Sequence, residues 1–483
     1  MKPFYTRKRQ RFSQTNTDAA CFKSKINQIN QQVKIMTLLT ESIPTKMSMM
    51  VLAATVSVYI PSAAAQSLEQ AVAETLSQNP VIREAYNQFK SQEEQIDASQ
   101  GGYLPSVDLE AGIGYSDYDN DNNQGHYKPR DVRISLRQLI WDGAITYNDI
   151  KRTKSEAEAQ RFQLLSEAQD TALSVAEVYL NVLKSEEILD LSLKNLETHE
   201  RIHKDIKRRT DSGISSTADL SQVEGRLAQA HTNLLAARSN LDDETTEFER
   251  VVGQSPAALV KPEVDALFIP QSLVDALAAA KENNPVVHVA SNDVEAARYQ
   301  YEQAKGDFYP TFTIEASQEW GEELDGSPGD TDEFQAMLRM RYNLFSGGTD
   351  AAEARSAAYQ INKAKNIRNN AHRMLNESTR LAWTAKELSE KQTTFLQQHV
   401  DASAKTLTAY EKQYLIGRRT LLDLLNTENE LFDARRSYLD AHFEGILARY
   451  RVLNATGLLL SELRVDTPEE WQTSVYDDQG DGQ

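Results

Sequence analysis

A pattern that occurs twice, 205 residues apart, constrains this 483-residue chain more than any other feature. Ser67 begins a helical stretch that Asn79-Pro80 interrupts, and Ser272 begins another that Asn284-Pro285 interrupts. The same spacing, or one residue less, relates further pairs along each half: Tyr103-Leu104-Pro105 with Phe308-Tyr309-Pro310, Leu139–Gly143 with Leu344–Gly348, Gly213 with Gly417, and Asp219 with Asp423. Because chance matches would not keep register over such a length, we predict two structural repeats, 66–253 and 272–460, joined by a linker at 254–271.

Each repeat contains a helical stretch far longer than an ordinary helix. Residues 144–212 and 349–416 contain neither proline nor glycine, and each would run roughly 100 Å at 1.5 Å per residue. Gly213 and Gly417 then turn the chain into shorter return helices, predicted at 214–252 and 420–456. The missing length matches the opening helices, predicted at 67–100 and 272–306. We therefore expect each opening helix to stack end to end on a return helix and complete an antiparallel coiled-coil pair.

Between the opening helix and the long helix, each repeat alternates apolar and polar residues with the period of a strand. We predict four strands in the chain, at 103–116, 131–141, around 312–317 and 334–342, with polar loops at 117–130 and 321–333. Strands of this kind suit a transmembrane barrel, although a soluble sheet with one wet face gives the same alternation. Unpaired strand edges would cost several kcal/mol per group in hydrocarbon, so the sheet must close. Three copies would give twelve strands.

The first 65 residues have the composition of a secretory leader. They hold nine Lys or Arg residues and two acids, then an apolar run from Met47 to Ile60, then Pro61-Ser62-Ala63-Ala64-Ala65. A basic flank, a short apolar run and an A-x-A end predict cleavage after Ala65. A buried N-terminal helix is the alternative interpretation.

Charge and cysteine content exclude several function classes. The formal net charge of −19 argues against a nucleic-acid partner. Cys21, the one cysteine, would leave with the leader, so disulfides, thiolate nucleophiles and cysteine metal sites are excluded from the mature chain. No cofactor or metal is expected, and no run of 18 apolar residues predicts a spanning helix.

Over residues 67–460 the chain resembles the TolC family of outer-membrane efflux proteins. The motifs that carry the resemblance are the two Asn-Pro interruptions, the strand entries at Tyr103 and Phe308, Leu344–Gly348, and Tyr414–Asn426. The resemblance implies a homotrimer in the outer membrane of a Gram-negative bacterium, with a 12-stranded β-barrel continued by an α-helical coiled-coil barrel in the periplasm. It implies a passive exit duct, not an enzyme, that works with a periplasmic adaptor (membrane fusion) protein and an inner-membrane ABC transporter or RND pump.

The segment Trp141-Asp142-Gly143-Ala144 resembles the type I secretion branch of the family, including agglutination-type proteins that export large adhesins. The outer-membrane component of a multidrug efflux pump is the alternative within the transport class. An envelope coiled-coil protein is a further alternative, but it would not explain the four alternating strands.

The resemblance also assigns a periplasmic gate to the two tip turns at Gly213 and Gly417. Tyr414 and Arg419 match the latch residues, with Asp219 of the other hairpin as their expected partner. Asp423 would form a three-fold ring of carboxylates, and Asn426 stands where the family often has a second ring acid. Without the resemblance, Asp219 and Asp423 read as ordinary acids in the first turn of a helix, where the macrodipole favours negative charge.

Three other features remain. His199-Glu200-Arg201-Ile202-His203 matches the H-E-x-x-H zinc protease motif, but the basic residues around it disfavour a bound cation, and nothing suggests a third ligand. A basic cluster beside the first tip turn is either a solvated surface or an adaptor contact: Lys204, Lys207, Arg208 and Arg209. The acidic tail at 461–483 is expected to be disordered or loosely packed on the helices.

Overall fold

A computed structural model describes residues 65–120 and 123–472. The predicted leader up to residue 64 and the tail beyond residue 472 lie outside the described residues. The first half contains α1 Leu68–Gln78, α2 Pro80–Gln100, β1 Ser106–Ile113, β2 Ser116–Asn120, β3 Asn123–Tyr127, β4 Arg130–Trp141, α3 Ile145–Asp211 and α4 Thr217–Val252. The second half contains α5 Leu273–Asn283, α6 Pro285–Gly306, β5 Thr311–Glu322, β6 Asp330–Arg341, α7 Thr349–Leu415, α8 Leu421–Ala455 and α9 Leu459–Glu462.

The two long helices, α3 and α7, are 67 residues each, as the absence of proline and glycine predicts. Both end at a glycine in the left-handed region, Gly213 at φ 73° and Gly417 at φ 75°. A side chain at φ > 0 is strained, so glycine is the residue that lets the chain leave the helix here. Ser216 and Thr420 then cap the return helices α4 and α8.

The opening helix of each half is split at its Asn-Pro pair. Asn79 Oδ1 accepts the backbone N–H of Val81 at 2.8 Å, and Asn79 Nδ2 donates to the carbonyl of Val251, in the last turn of α4, at 3.3 Å. Asn284 repeats the arrangement with Val286 at 3.0 Å and with Ala455, the last residue of α8, at 3.1 Å. Each asparagine therefore caps the start of one helix and the end of another, so α2 follows on from α4 and α6 from α8.

Six of the nine α-helices of the described residues form four parallel columns, named here by their helices: α2 with α4, α3 alone, α6 with α8, and α7 alone. The contacts run in that order, since α3 packs on α2, α4, α6 and α8, while α7 packs on α6 and α8. The two outer columns, α2 with α4 and α7, therefore each keep one flank open. Among residues 65–120 and 123–472, no helix combines the length and apolar character needed to cross a membrane.

The main sheet has the antiparallel order β1-β4-β5-β6, which leaves β1 and β6 at its edges. Its register places most large apolar residues on one face, with Leu109 opposite Ile134, and Ile314 opposite Leu338, whereas Met337 lies on the other face opposite Glu315. The other face is charged and carries the ion pairs Arg133–Glu319 and Arg339–Glu315, both at 2.7 Å. The apolar face is open to the surroundings of the single chain, and Leu109 is 70% exposed.

The predicted loop at 117–130 is wrong in part, because it contains the hairpin β2–β3. This hairpin continues the β1–β4 ladder without a change of register, since Ile113 faces Arg130 and Ser116 faces Tyr127. Pro129 lies in the short break between the two ladders. Proline has no N–H to give to a ladder, so it interrupts the pairing.

The largest apolar core lies where α1, α3, α4 and α8 meet, around Tyr179, Phe248 and Tyr450. The segment after α9 joins this core, because Leu463 and Trp471 are buried and Tyr86 donates to Glu470 Oε2 at 3.3 Å. The expectation of a loose or disordered tail is therefore wrong for residues 461–472. The segment has acidic residues interspersed with apolar ones that pack against the helices. Its overall acidic composition therefore did not predict this packing.

Candidate gate at the helix turns

Both tip turns are closed by the same local device, a capping box. Asp219 N–H donates to Ser216 Oγ at 3.0 Å, and Ser216 N–H donates back to Asp219 Oδ2 at 3.2 Å. In the second turn Asp423 N–H donates to Thr420 Oγ1 at 3.2 Å, and Thr420 N–H and hydroxyl donate to Asp423 Oδ2 at 3.2 and 2.9 Å. Two predicted gate acids thus also have the ordinary role of first-turn acids in a reciprocal cap.

The hydrogen bonds from Thr420, with a smaller contribution from Arg419, hold the pKa of the Asp423 carboxyl below its usual range. The carboxylate is therefore charged at neutral pH. Its side chain is partly exposed next to the turn at Gly417.

An apolar cluster joins the two hairpins just above the turns. Ile206 and Val223 of the first hairpin are buried against Leu421 and Leu425 of the second. Ile202, Leu220 and Tyr414 pack around them. The cluster holds the second hairpin against the first in the single chain.

Tyr414 reaches the first hairpin through Arg209, whose guanidinium carbon lies 5.6 Å from the ring centroid. Arg209 also pairs with Asp205 at 2.9 Å. Burial raises the pKa of Tyr414, so its hydroxyl stays protonated near neutral pH. Of the basic cluster, Arg209 faces the contact between the hairpins. Lys204, Lys207 and Arg208 are exposed in the single chain, and Arg208 pairs with Asp205 at 2.6 Å.

Arg419 contacts its own hairpin. It lies 3.8 Å from Asp423 Oδ2, donates to Gln413 Oε1 at 3.2 Å, and stacks its guanidinium 4.2 Å from the Tyr410 ring centroid. Within one protomer the structure does not bring Arg419 to Asp219, and the capping box holds Asp219 on its own helix.

Arg226 of α4 is a tip residue that sequence reasoning missed. Its Nη2 donates to Asn426 Oδ1 of α8 at 3.0 Å, and its Nη1 donates to Gln229 Oε1 at 3.3 Å. A groove of about 520 Å³ begins at this contact and continues along both helices. No sequence motif marked Arg226, because its partner depends on how the two hairpins are rotated against each other.

His199 of the H-E-x-x-H segment is 1% exposed and packs between helices. His203 lies instead 4.0 Å from Glu224 of α4. Within residues 65–120 and 123–472, no group of three or more His, Cys, Asp or Glu side chains could hold a metal ion. The surroundings of His199 are those of a packed helix interface.

One protein family matches the chain in two segments, one in each structural repeat. The model of the outer membrane efflux protein family matches residues 71–254 and 276–458, more than half of the chain. The chain belongs to this family. The family resemblance in the sequence is therefore confirmed, and family members are transport channels of the outer membrane.

Three relatives represent the family among curated proteins. The chain is 24% identical over 427 residues to the outer membrane efflux protein BepC of Brucella suis, covering 86% of this chain and 92% of BepC. It is 23% identical over 414 residues to the outer membrane protein TolC of Escherichia coli, covering 82% and 83%. It is 23% identical over 411 residues to the alkaline protease secretion protein AprF of Pseudomonas aeruginosa, covering 80% and 83%.

Solved outer-membrane channels have the same fold. The CmeC channel of Campylobacter jejuni superposes with a TM-score of 0.72 at 13% identity, covering 87% of this chain and 94% of CmeC. VceC of Vibrio cholerae superposes with a TM-score of 0.70 at 17% identity, covering 81% and 96%. The arrangement of helices and sheet is thus that of a TolC-like outer-membrane channel.

Proposed function

We propose that three copies of this chain form an exit duct that crosses the outer membrane as a 12-stranded β-barrel and continues into the periplasm as an α-helical barrel. Its periplasmic end is gated by the two tip turns. The duct itself is passive. It takes cargo from an inner-membrane ABC transporter through a periplasmic adaptor protein.

The observation that carries this proposal is the four-stranded sheet with two open edges and two unlike faces. Lipid cannot satisfy the free N–H and C=O groups of β1 and β6, so these edges need strands from other copies. The apolar face then meets hydrocarbon, and the ion-paired face lines a wet lumen. Closing the sheet through other copies meets both requirements at once.

The helices support the same assembly, because α7 has an unpartnered apolar stripe with heptad spacing. Its members are Ile367, Met374, Leu381, Leu388 and Phe395, each more than half exposed in the single chain. Since α7 follows the edge strand β6, the next copy would bring its own edge β1 and its column α2 with α4 to this side.

A contact between unlike patches of successive copies closes into a ring. A ring of three copies makes twelve strands and twelve helical columns.

At the periplasmic end, three copies would place three Asp423 carboxylates around one constriction. Like charges held close together oppose tight closure and attract cations. Asn426 removes a second such ring. Tyr414 and Arg419 would act as latch residues with Asp219. The exposed bases Lys204, Lys207 and Arg208 would contact the adaptor.

For cargo we favour proteins, as in type I secretion of large adhesins, because of the Trp141–Ala144 segment and because AprF is named for alkaline protease secretion. The second candidate is drug efflux with an RND pump; BepC is named as an outer membrane efflux protein.

A deletion strain separates the two cargos. Loss of a secreted surface protein with unchanged drug tolerance supports type I secretion. Loss of drug tolerance with unchanged secretion supports efflux, and no change in either phenotype contradicts the proposed duct. Complementation with the intact chain is the control.

A further inference from the structure

We infer that Arg226 and Asn426 form a catch that holds the second hairpin against the first and must open before the gate does. The inference rests on the proposed duct, because a catch has a function only where the hairpins move. It assigns Arg226 a role in gating and gives Asn426 a positive role, beyond the absence of a ring carboxylate.

The Arg226–Asn426 hydrogen bond joins the two hairpins directly. Arg226 belongs to α4 of the first hairpin and Asn426 to α8 of the second, and the hydrogen bond between them is 3.0 Å long. The second bond of Arg226, to Gln229 one turn along its own helix, fixes the plane of the guanidinium so that Nη2 points across the gap. Asn426 lies three residues beyond Asp423, so a movement of the second tip turn acts directly on it.

The buried His199 of α3 lies beside the catch. Burial and the charge of Arg226 lower its pKa, and Asn429, one turn beyond Asn426 on α8, raises it. The polar residues of the two hairpins therefore meet in one layer above the apolar cluster of Ile206, Val223, Leu421 and Leu425.

The chemistry of the pair suits a contact that must release. An amide oxygen is a neutral acceptor, and a hydrogen bond to it is weaker than one between a guanidinium and a carboxylate, where both partners are charged. The contact is also partly exposed, so water can replace it when the hairpins separate. A carboxylate at 426 would bind Arg226 more tightly, which suits a permanent contact better than one that opens.

The test is single-channel recording of the full-length protein in planar bilayers. Relative to the intact chain, Arg226→Ala and Asn426→Ala should each raise open probability about fivefold, the change expected for one lost hydrogen bond. The double variant should open no more than either single one, because both remove the same bond.

The matched control is Arg238→Ala, which removes an exposed arginine from the same helix away from the catch. It should leave gating unchanged. Arg226→Lys keeps the charge but cannot make both bonds, so it should open more often than the intact chain even where Arg226→Ala folds poorly. Melting curves establish that each recorded variant is folded.

Two failures are distinguishable. If the intact chain forms no channel, the proposed duct is wrong. If the intact chain conducts and Arg226→Lys and Asn426→Ala gate as it does, or if the effects of the single variants add in the double variant, the catch is wrong while the duct stands. An effect of Arg238→Ala equal to that of Arg226→Ala also overturns the catch, since it would be one of surface charge.

Discussion

His199 of α3 is buried against neighbouring helices, and burial together with the charge of Arg226 lowers the pKa of its imidazole, while Asn429 acts in the opposite direction. The unfolded chain binds the same proton with an ordinary pKa of about 6.5. Below about pH 6.5 the unfolded state therefore holds a proton that the folded state does not, and stability falls as the pH falls through this window.

We predict that the urea midpoint of the intact protein drops more between pH 7.5 and pH 5.5 than that of His199→Gln, whose side chain is neutral at both. Each pH unit inside the window costs about 1.4 kcal/mol. His231→Gln, which changes an exposed histidine of α4, is the control and should follow the intact protein. Equal pH dependence in all three proteins would contradict the assignment to His199.

Tyr179 ties the start of the described chain and the linker to α3. Its hydroxyl accepts Val260 N–H at 2.8 Å and lies 2.7 Å from the carbonyl oxygen of Gln66 and 2.6 Å from that of Val260, to one of which it donates. Burial raises its pKa to about 12, so the donor persists at neutral pH. Tyr179→Phe should lose about 1–2 kcal/mol of stability, because buried backbone groups lose a partner. Thermal unfolding measures this loss of stability, with Tyr359→Phe at an exposed position as the control. Equal melting temperatures for Tyr179→Phe and the intact protein would contradict the prediction.

At the scale of elements, the asparagine of each Asn-Pro pair joins two helices. Asn284→Ala removes the cap on Val286 and the donor to Ala455 together, and should cost about 1–2 kcal/mol. Asn283→Ala is a close control, because Asn283 is exposed and bonds only within its own helix. We expect a lower melting temperature for Asn284→Ala alone. A similar loss of stability in both variants would mean that the measurement reports helix propensity and not the connection between α6 and α8.

The sequence predicts elements well where backbone chemistry decides them. Glycines set the ends of α3 and α7, and the Asn-Pro pairs set the breaks before α2 and α6, because glycine and proline change which φ angles and hydrogen bonds are possible. The alternation of the strands likewise follows from the two unlike faces of the sheet.

The sequence does not predict structure that depends on a partner far along the chain. The hairpin β2–β3 has too few apolar residues to signal a strand, and it forms by extending a ladder already in register. At the tip, Arg226 meets Asn426 and Arg209 meets Tyr414 because of the rotation of whole hairpins. Residue types and their spacing do not predict how the two hairpins are rotated against each other. The capping acids Asp219 and Asp423 were easier to place, since their partners lie three residues away.

At the scale of the molecule, one chain leaves matching features open on both sides. The sheet has open edges at β1 and β6, and the outer helical columns have open flanks. These open sides are continuous from the sheet to the helices. A mutation in the helical stripe should therefore act on assembly as a whole, including the sheet, although the two regions are far apart in sequence.

Leu381 lies in the middle of the α7 stripe and is 65% exposed in the single chain. Leu381→Glu would bury a carboxylate without a partner in the contact between copies, which costs far more than the same change on a wet surface. We predict that the variant is recovered in detergent as monomer while the intact protein is a trimer, with light scattering measuring the mass. Asn376→Glu adds the same charge at an exposed position of the same helix, two residues from Met374 and so on the side away from the stripe, and should stay trimeric. A trimeric Leu381→Glu would show that the stripe faces solvent, and the order of columns around the ring would have to be rebuilt.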